Sequence, residues 1–443
     1  MDCHNVSIRG LTFDSDPPNY AQGVVTAVRP DVSAFTAKFD TRFIPPDTSV
    51  PPFSAPGGSA GAKVAFWDPS LRRMLYAVNF LNSSTAFSQA EGAASFNVTL
   101  KHAQAAGGLT VGNLVTIFPR KGLTWHCQNC SSVVADNVTI HAGGNMGFLE
   151  TGGAGGNHYR GISIVRKPSS PGLMALNADG FHSSDVGIGP TLEDSLISYT
   201  GDDFLNIHNK MKIVCRVLDD GNSSGTTTLA LIDPGTSFLE LRPADELHFF
   251  QLLPHLPHKA NPFLGSSVVR SVAPADAALR KECHAAGEAM QQPPYSADLI
   301  GTVASSVARA RVYVATFAGS LPAAVQRFSL VNFERRSGAH FAVRRNHFHD
   351  SCGSGGRIIG KSINGTLESN VAERFGGVHV YSEQVWLEGA LGIRNVLLAN
   401  NTIVDARVAD PTHVDVLAGL VNVTCRNNTF VVAGHTTARA SGC

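Results

Sequence analysis

The sequence lacks an excess of charge of either sign. Lysine plus arginine and aspartate plus glutamate both number 35, and charged residues make up only 16% of the 443 residues. Binding to nucleic acid requires a positively charged surface, so no nucleic-acid partner is expected. The chain also lacks an apolar run of about 18 residues, so no membrane-spanning helix is expected.

Cysteine is scarce as well. Eight cysteines are too few for a disulfide-based scaffold of this length, although they allow a few bridges in an oxidising compartment. The chain has Asn-x-Ser/Thr sites for glycosylation at Asn5, Asn82, Asn97, Asn129, Asn137, Asn222, Asn364, Asn400, Asn422 and Asn427. These features favour a secreted, extracellular or endomembrane location. No secretion signal precedes the first strand-like residues, which is consistent with a truncated N-terminus.

Glycine and apolar residues are abundant, and they recur in a pattern. Short β-rich segments that end in Asn or Gly turns repeat at intervals of roughly 20–30 residues, the range of stacked solenoid repeats. They lie at 4–16, 136–144, 159–168, 190–203, 340–351, 363–375, 393–405 and 420–432. Asparagine at a turn tolerates left-handed backbone and can hydrogen-bond to the next coil. The pattern predicts an all-β protein built on a right-handed parallel β-helix.

Two long stretches interrupt this repeat and read as antiparallel strands with polar turns. We predict that they are β-barrel or sandwich subdomains inserted at turns of the β-helix. The predicted divisions are a first coil at 1–20, an inserted subdomain at 21–126, coils at 127–210, a second inserted subdomain at 211–330 and C-terminal coils at 331–443. Within the second insertion, residues 273–291 predict a short helix.

In the segment 177–209, Asp179 is followed one coil later by a pair of adjacent aspartates, Asp202 and Asp203. Asp203 follows Asp179 by 24 residues, and Asp202 precedes Asp203 directly. Residues one coil apart in a β-helix are about 4.8 Å apart along the axis. Unpaired carboxylates inside an apolar column would be very costly, so the chain should bend here and turn all three outward. Gly180 and Gly201 provide the backbone freedom for such bends.

A cluster of carboxylates suits the hydrolysis of glycosidic bonds. One protonated acid serves the leaving oxygen, and one ionised carboxylate serves the water or the sugar carbon. Neighbouring carboxylates push one pKa upward, which keeps one acid protonated near neutral pH. The alternative at this stage is a calcium site or a set of aspartates that cap turns.

The motif "NADGFH" (177–182) followed by "GDDFLNIHN" (201–209) resembles glycoside hydrolase family 110, the α-1,3-galactosidases, and more distantly the polygalacturonase-like family 28. The resemblance implies a pectin-lyase-like β-helix and inverting hydrolysis of terminal α-linked galactose without a cofactor or metal. Carried over by position, Asp179, Asp202 and Asp203 are the catalytic acids. We expect Asp202 to be the general acid, and Asp179 with Asp203 to hold the water. The Gly-His-Gly of family 28 is missing, which disfavours galacturonate.

Polar and aromatic residues near these motifs are candidates for binding the carbohydrate substrate. The two histidines could orient a carboxylate or bind sugar hydroxyls, and the Trp with its neighbouring acids could form a stacking platform. The predicted substrate-binding residues are Asn177, His182, Asn206, His208, Arg357, Lys361, Glu383, Trp386 and Glu388.

Two other functions remain open from the residues. A β-helix polysaccharide lyase would use Arg357 or Lys361 as the base and the three acids as calcium ligands. A non-catalytic glycan-binding β-helix would bind sugars without turnover. Calcium dependence and an unsaturated product would separate a lyase from a hydrolase.

Three further segments have weaker signals. Cys127 and Cys130 lack the second Cys/His pair of a zinc site, so a disulfide or packed core thiols is expected. The glycine-rich segment 151–161 fails the dinucleotide-binding spacing and is expected to be a loop near the cleft. His347 and His349 alternate as in a surface strand.

Overall fold

The structure is a computed structural model. It describes residues 3–46, 62–75, 79–80, 87–90, 94–100, 109–220, 225–233, 241–252, 262–289, 310–351, 357–360, 362–380, 388–389, 393–405, 414–416, 422–432 and 435–437. Strands dominate this part of the chain, which contains one α-helix, Ala277–Ala289, and one short 3₁₀ turn, Glu334–Arg336. The protein is therefore all-β, as predicted.

Three parallel sheets form the body of the protein. Sheet A contains Ser7–Arg9, Val134–Asp136, His158–Arg160, Thr191–Glu193, Ala342–Arg344, Thr366–Glu368, Leu397–Ala399 and Thr424–Arg426. Sheet B contains Trp125–Gln128, Phe148–Thr151, Phe181–Ser184, Leu205–His208, Arg357–Gly360, Gly377–Val380 and Val414–Val416. Sheet C contains Thr12–Phe13, Thr139–Ile140, Ser163–Ile164, Leu196–Ser198, His347–His349, Val371–Glu373, Thr402–Val404, Thr429–Val432 and an antiparallel last strand, His435–Thr437.

Successive strands belong to sheets B, A and C in turn. Each circuit of the chain thus adds one strand to each sheet, in parallel register with the strand one coil earlier. This arrangement is consistent with a parallel β-helix. One coil is too small to bury its own apolar face, and stacking supplies the missing contacts.

Aromatic and aliphatic side chains from all three sheets fill a single interior column. Phe148 and Phe181 stack with their ring centroids 4.8 Å apart, and Tyr159 meets Phe181 edge-on at 4.5 Å. Phe204 and Phe348 continue the column at 5.4 Å. Such ring pairs add to the stabilisation that comes from burial itself.

A ladder of buried asparagines runs along the later coils. The Asn370 side-chain oxygen accepts hydrogen bonds from the backbone and side-chain N–H groups of Asn346 at 3.0 Å. The same pattern links Asn370 to Asn401, and Asn401 to Asn428. Each amide thereby satisfies the turn of the preceding coil, which confirms the predicted hydrogen bonding of turn asparagines to the next coil.

The first insertion is a seven-stranded antiparallel sheet, called here the N-terminal sheet. Its strands are Ala21–Val28, Ala34–Phe39, Lys63–Trp67, Asn79–Phe80, Phe87–Gln89, Ser95–Thr99 and Leu114–Phe118. The next strand, Trp125–Gln128, already belongs to sheet B. The coils therefore resume slightly before the predicted boundary at residue 127.

The second insertion is a closed antiparallel barrel. Its strands are Lys212–Asp220, Thr226–Asp233, Glu246–Phe250, Phe263–Pro274, Arg311–Ala318 and Leu330–Phe333. The helix Ala277–Ala289 lies between two of these strands, inside the predicted helical segment, and Asp276 caps its start by accepting the Leu279 N–H at 2.8 Å. The Cys215–Cys283 disulfide ties the helix to the first barrel strand. The barrel extends to Phe333, three residues beyond the predicted boundary at residue 330.

No helix in the described ranges is long and apolar enough to cross a bilayer.

Candidate active site

The three aspartates lie in the turns that lead from sheet C into sheet B. The strands Phe181–Ser184 and Leu205–His208 begin just after Asp179 and Asp203, and Phe181 pairs with Leu205. The two acids are therefore level with each other on neighbouring coils. They lie outside the apolar column, as expected, but they are not open to solvent, because Asp179 is only 2% and Asp203 only 4% exposed.

The glycines beside the acids matter for space rather than for backbone conformation. Neither Gly180 nor Gly201 has a positive φ. A Cβ at Gly180 would stand 2.7 Å from the Phe204 carbonyl oxygen, and one at Gly201 would stand 2.5 Å from the Asn177 carbonyl oxygen. These positions exclude side chains because the coils approach closely there.

Two cations from the N-terminal sheet and its exit reach the acids. Lys63 Nζ donates to Asp202 Oδ2 at 2.7 Å. The Arg120 guanidinium spans two carboxylates, with one nitrogen 2.9 Å from Asp202 Oδ2 and the other 3.3 Å from Asp179 Oδ1. One guanidinium thus fixes the carboxylates of adjacent coils side by side.

A third cation comes from the next coil of sheet B. Both the backbone N–H and the Nε–H of Arg357 donate to Asp203 Oδ1, at 3.0 and 3.2 Å. Burial by itself raises the pKa of Asp202, but the positive charges of Lys63, Arg120 and Arg357 outweigh it and hold that pKa below its ordinary value. Asp202 is therefore a carboxylate at neutral pH.

Asp179 is the first member of a chain of hydrogen bonds that includes two histidines. Asp179 Oδ2 lies 2.6 Å from His182 Nδ1. His182 Nε2 lies 2.9 Å from His208 Nε2, and His208 Nδ1 lies 3.0 Å from the carbonyl oxygen of Asn209. His182 retains some exposure, whereas His208 is fully buried.

The number of protons in this chain follows from its geometry. A carbonyl oxygen can only accept, so His208 Nδ1 carries a hydrogen. The Nε2–Nε2 contact needs one hydrogen between the rings, and the contact between His182 and Asp179 needs another. Two neutral imidazoles supply only two of these three hydrogens. The chain is therefore complete only when it holds one extra proton, on Asp179 or on one of the rings.

Glu388 closes the far end of this network. Its Oε1 lies 3.6 Å from His208 Nε2 and accepts a 2.8 Å bond from Lys210 Nζ, while Oε2 accepts from Asn206 Nδ2 at 3.4 Å. Glu388, Asn206 and His208 are all buried. They were predicted to bind substrate directly; in the structure their side chains contact one another and Lys210, and they are as shielded from solvent as Asp179 and Asp203.

Other predicted substrate-binding residues have different outcomes. Asn177 is fully buried and donates to the carbonyl oxygens of Asn19 and Pro119 at 2.7 and 2.9 Å, so it fastens the two ends of the N-terminal sheet to the coil. His182 and Arg357 do border the acids. Predictions for Lys361, Glu383 and Trp386 lie outside the described residues.

Sequence reasoning missed Lys63, Arg120 and Lys210. A signal existed for Lys63, which interrupts the otherwise apolar run "AKVAFW" (62–67). A lysine buried in such a strand requires an anionic partner, but the sequence does not identify that partner. Arg120 follows a strand in an ordinary loop and carries no comparable signal.

The three weaker motifs have separate positions in the coils. The glycine-rich segment follows its strand of sheet B, at the edge opposite to the acids, so the expected position near the acids is wrong. Cys127 and Cys130 are buried and are not joined to each other by a disulfide, and Cys127 Sγ accepts a 3.0 Å bond from Trp125 Nε1. His347 lies on sheet C, where it pairs with Glu373 at 2.9 Å.

Comparison with known proteins adds no family to these observations. No protein-family model matches the chain, and no curated protein matches it. Within the described ranges, no group of three or more His, Cys, Asp or Glu side chains is arranged to hold a metal ion.

Proposed function

We propose that this protein is an inverting glycoside hydrolase that acts on an oligo- or polysaccharide, with terminal α-linked galactose as the favoured substrate. The observation that carries the proposal is the contrast between the acids. Asp202 is held ionised by Lys63 and Arg120, whereas Asp179, which Arg120 also contacts at 3.3 Å, is hydrogen-bonded to His182 in a chain that needs one extra proton. Hydrolysis of a glycosidic bond requires one group in each state.

The roles follow from these states. Asp179, supplied with its proton through His182, protonates the leaving oxygen. Asp202 and Asp203 accept a proton from the attacking water, which then reaches the sugar carbon from the opposite face. This order differs from the expectation that Asp202 is the acid, because three cations around Asp202 disfavour its protonated form.

We also propose that the parallel coils wind in the right-handed sense. Parallel strands joined through crossovers are right-handed in about 98% of cases, which supports a right-handed parallel β-helix. A secreted or endomembrane location is supported by the Cys215–Cys283 disulfide, since disulfides persist in oxidising compartments.

The test is product release from α- and β-galactosides and oligogalacturonides, with NMR to follow the anomeric form of the first product. We expect free galactose of inverted configuration from the wild type, no dependence on a calcium chelator, and loss of turnover in Asp202→Asn. The control is Asp194→Asn, an exposed aspartate at a turn, which should retain full activity.

The other outcomes separate the competing functions. An unsaturated product that needs calcium would identify a lyase, although the cations at the acids disfavour a calcium ion there. Binding of sugars with no turnover of any substrate would identify a glycan-binding protein without catalytic activity.

A further inference from the structure

A second concave region lies at the edge of sheet B opposite to the acids. It is a groove of about 580 Å³, within the usual size range of ligand sites. Its lining includes the turns that lead into sheet A, at Gly153, Gly187 and Ala339. Bridges from Gly155 to Ile188 and from Ile188 to Ala339 join the successive coils beneath it. The groove therefore crosses several coils along the axis, a shape that suits an extended ligand.

Basic side chains line the groove. Arg242, Arg335 and Arg336 come from the barrel and the residues that follow it, and His4 and His340 come from the coils. No aspartate or glutamate is among the described residues that line it. Asp245 pairs with Arg335 at 2.5 Å but is itself buried, so it does not face a ligand. The lining is thus basic, with the charge of Arg335 balanced in part by Asp245, in a protein without net charge.

Arg336 is the buried member of this group. It is only 6% exposed, and one of its terminal nitrogens donates to the Gly153 carbonyl oxygen at 2.6 Å. Its Nε–H is buried and has no hydrogen-bond partner among the described residues. Burial, followed by repulsion from Arg335 and Arg242, lowers the pKa of Arg336 to about 10. A buried guanidinium with an unused donor and cationic neighbours is an environment that an anion would stabilise.

We propose that this groove binds a saccharide through a sulfate or carboxylate group, which the arginines hold while the sugar chain lies across the coils. The preference for an anion follows from the arginines that line the groove and is independent of the proposed function. The saccharide identity rests on the proposed function, because the same strands of sheet B join the groove to the acids. The groove would then select acidic glycans without taking part in bond cleavage.

The test measures binding by calorimetry, with sulfated dextran oligosaccharide, unsulfated dextran of the same length and inorganic sulfate as probes. We expect binding of the sulfated oligosaccharide, and no binding of the neutral one. Arg242→Gln should weaken that binding by at least about tenfold, since a charge-assisted hydrogen bond is lost. Arg270→Gln, which removes an exposed arginine elsewhere on the barrel, should leave it unchanged.

The outcomes that overturn the proposal are specific. Equal binding by Arg242→Gln and Arg270→Gln would exclude the groove as the site. If inorganic sulfate binds as tightly as the oligosaccharide, the groove is a site for free anions and the proposal of a saccharide ligand is wrong. Arg242 is exposed, so its variant should fold even where Arg336→Gln does not. Anion binding without hydrolysis of any galactoside would contradict only the proposed function.

Discussion

Replacement of Lys63 by methionine tests whether Asp202 is held as a carboxylate. Methionine keeps most of the volume of the lysine stem and removes the 2.7 Å bond from Nζ to Asp202 Oδ2. The Lys63 side chain is 9% and the Asp202 side chain 16% exposed, so solvent screens this pair little. A hydrogen bond to a charged group contributes about 1.5–3 kcal/mol. Because Arg120 still pairs with Asp202, we expect a loss near the lower end, about 2 kcal/mol at pH 7.

The pH dependence makes this prediction specific. The folded-state pKa of Asp202 is lowered from the ordinary value of 3.8, so its stabilising contribution is present above that value. It disappears as the pH falls through the lowered pKa. The difference in melting temperature between wild type and Lys63→Met should therefore be large at pH 7 and shrink below about pH 4.

Thermal unfolding at a series of pH values is the measurement. Lys38→Met is the matched control, because Lys38 is an exposed lysine on the same N-terminal sheet. Its melting temperature should stay close to that of the wild type throughout. The reasoning fails if Lys63→Met matches Lys38→Met at pH 7, or if its deficit is the same at pH 3 as at pH 7.

Three further changes test the relay, the asparagine ladder and the barrel. His182→Asn should lower kcat by about 10²–10⁴-fold, because Asp179 loses the imidazole that lies 2.6 Å from its Oδ2. His347→Asn, which breaks another histidine–carboxylate pair, should leave kcat unchanged, and an equal loss in both variants would contradict a role for the His182 pair. Asn370→Ala should lower the free energy of unfolding, measured by chemical denaturation, by about 3 kcal/mol, because it leaves buried N–H groups unpaired. The control Asn97→Ala, at an exposed asparagine, should lower it by less than about 0.5 kcal/mol, and equal losses would exclude a stabilising ladder. Cys215→Ala opens a disulfide between residues 68 apart and should destabilise the barrel by about 4 kcal/mol, and an unchanged melting temperature would contradict this.

The repeat, the turns and the position of the acids could be predicted from sequence because they depend on local patterns. Alternating apolar residues and turn asparagines recur once per coil, and each coil pairs with the next. The 24-residue interval between Asp179 and Asp203 was therefore enough to place them level with each other, as the pairing of Phe181 with Leu205 requires. The helix after Asp276 likewise follows from local capping and composition.

The partners of the acids could not be predicted, because they come from distant parts of the chain. Lys63 lies 139 residues from Asp202, and Asn206 meets Glu388 across 182 residues. Nothing in the local sequence of an inserted sheet specifies which turn of the β-helix its side chains reach. The sequence by itself thus determined a stack of β-strands and three acids on adjacent coils. Only the tertiary structure decided that Asp202 is held as a carboxylate, because the charge of a buried carboxylate depends on the cations that the fold places beside it.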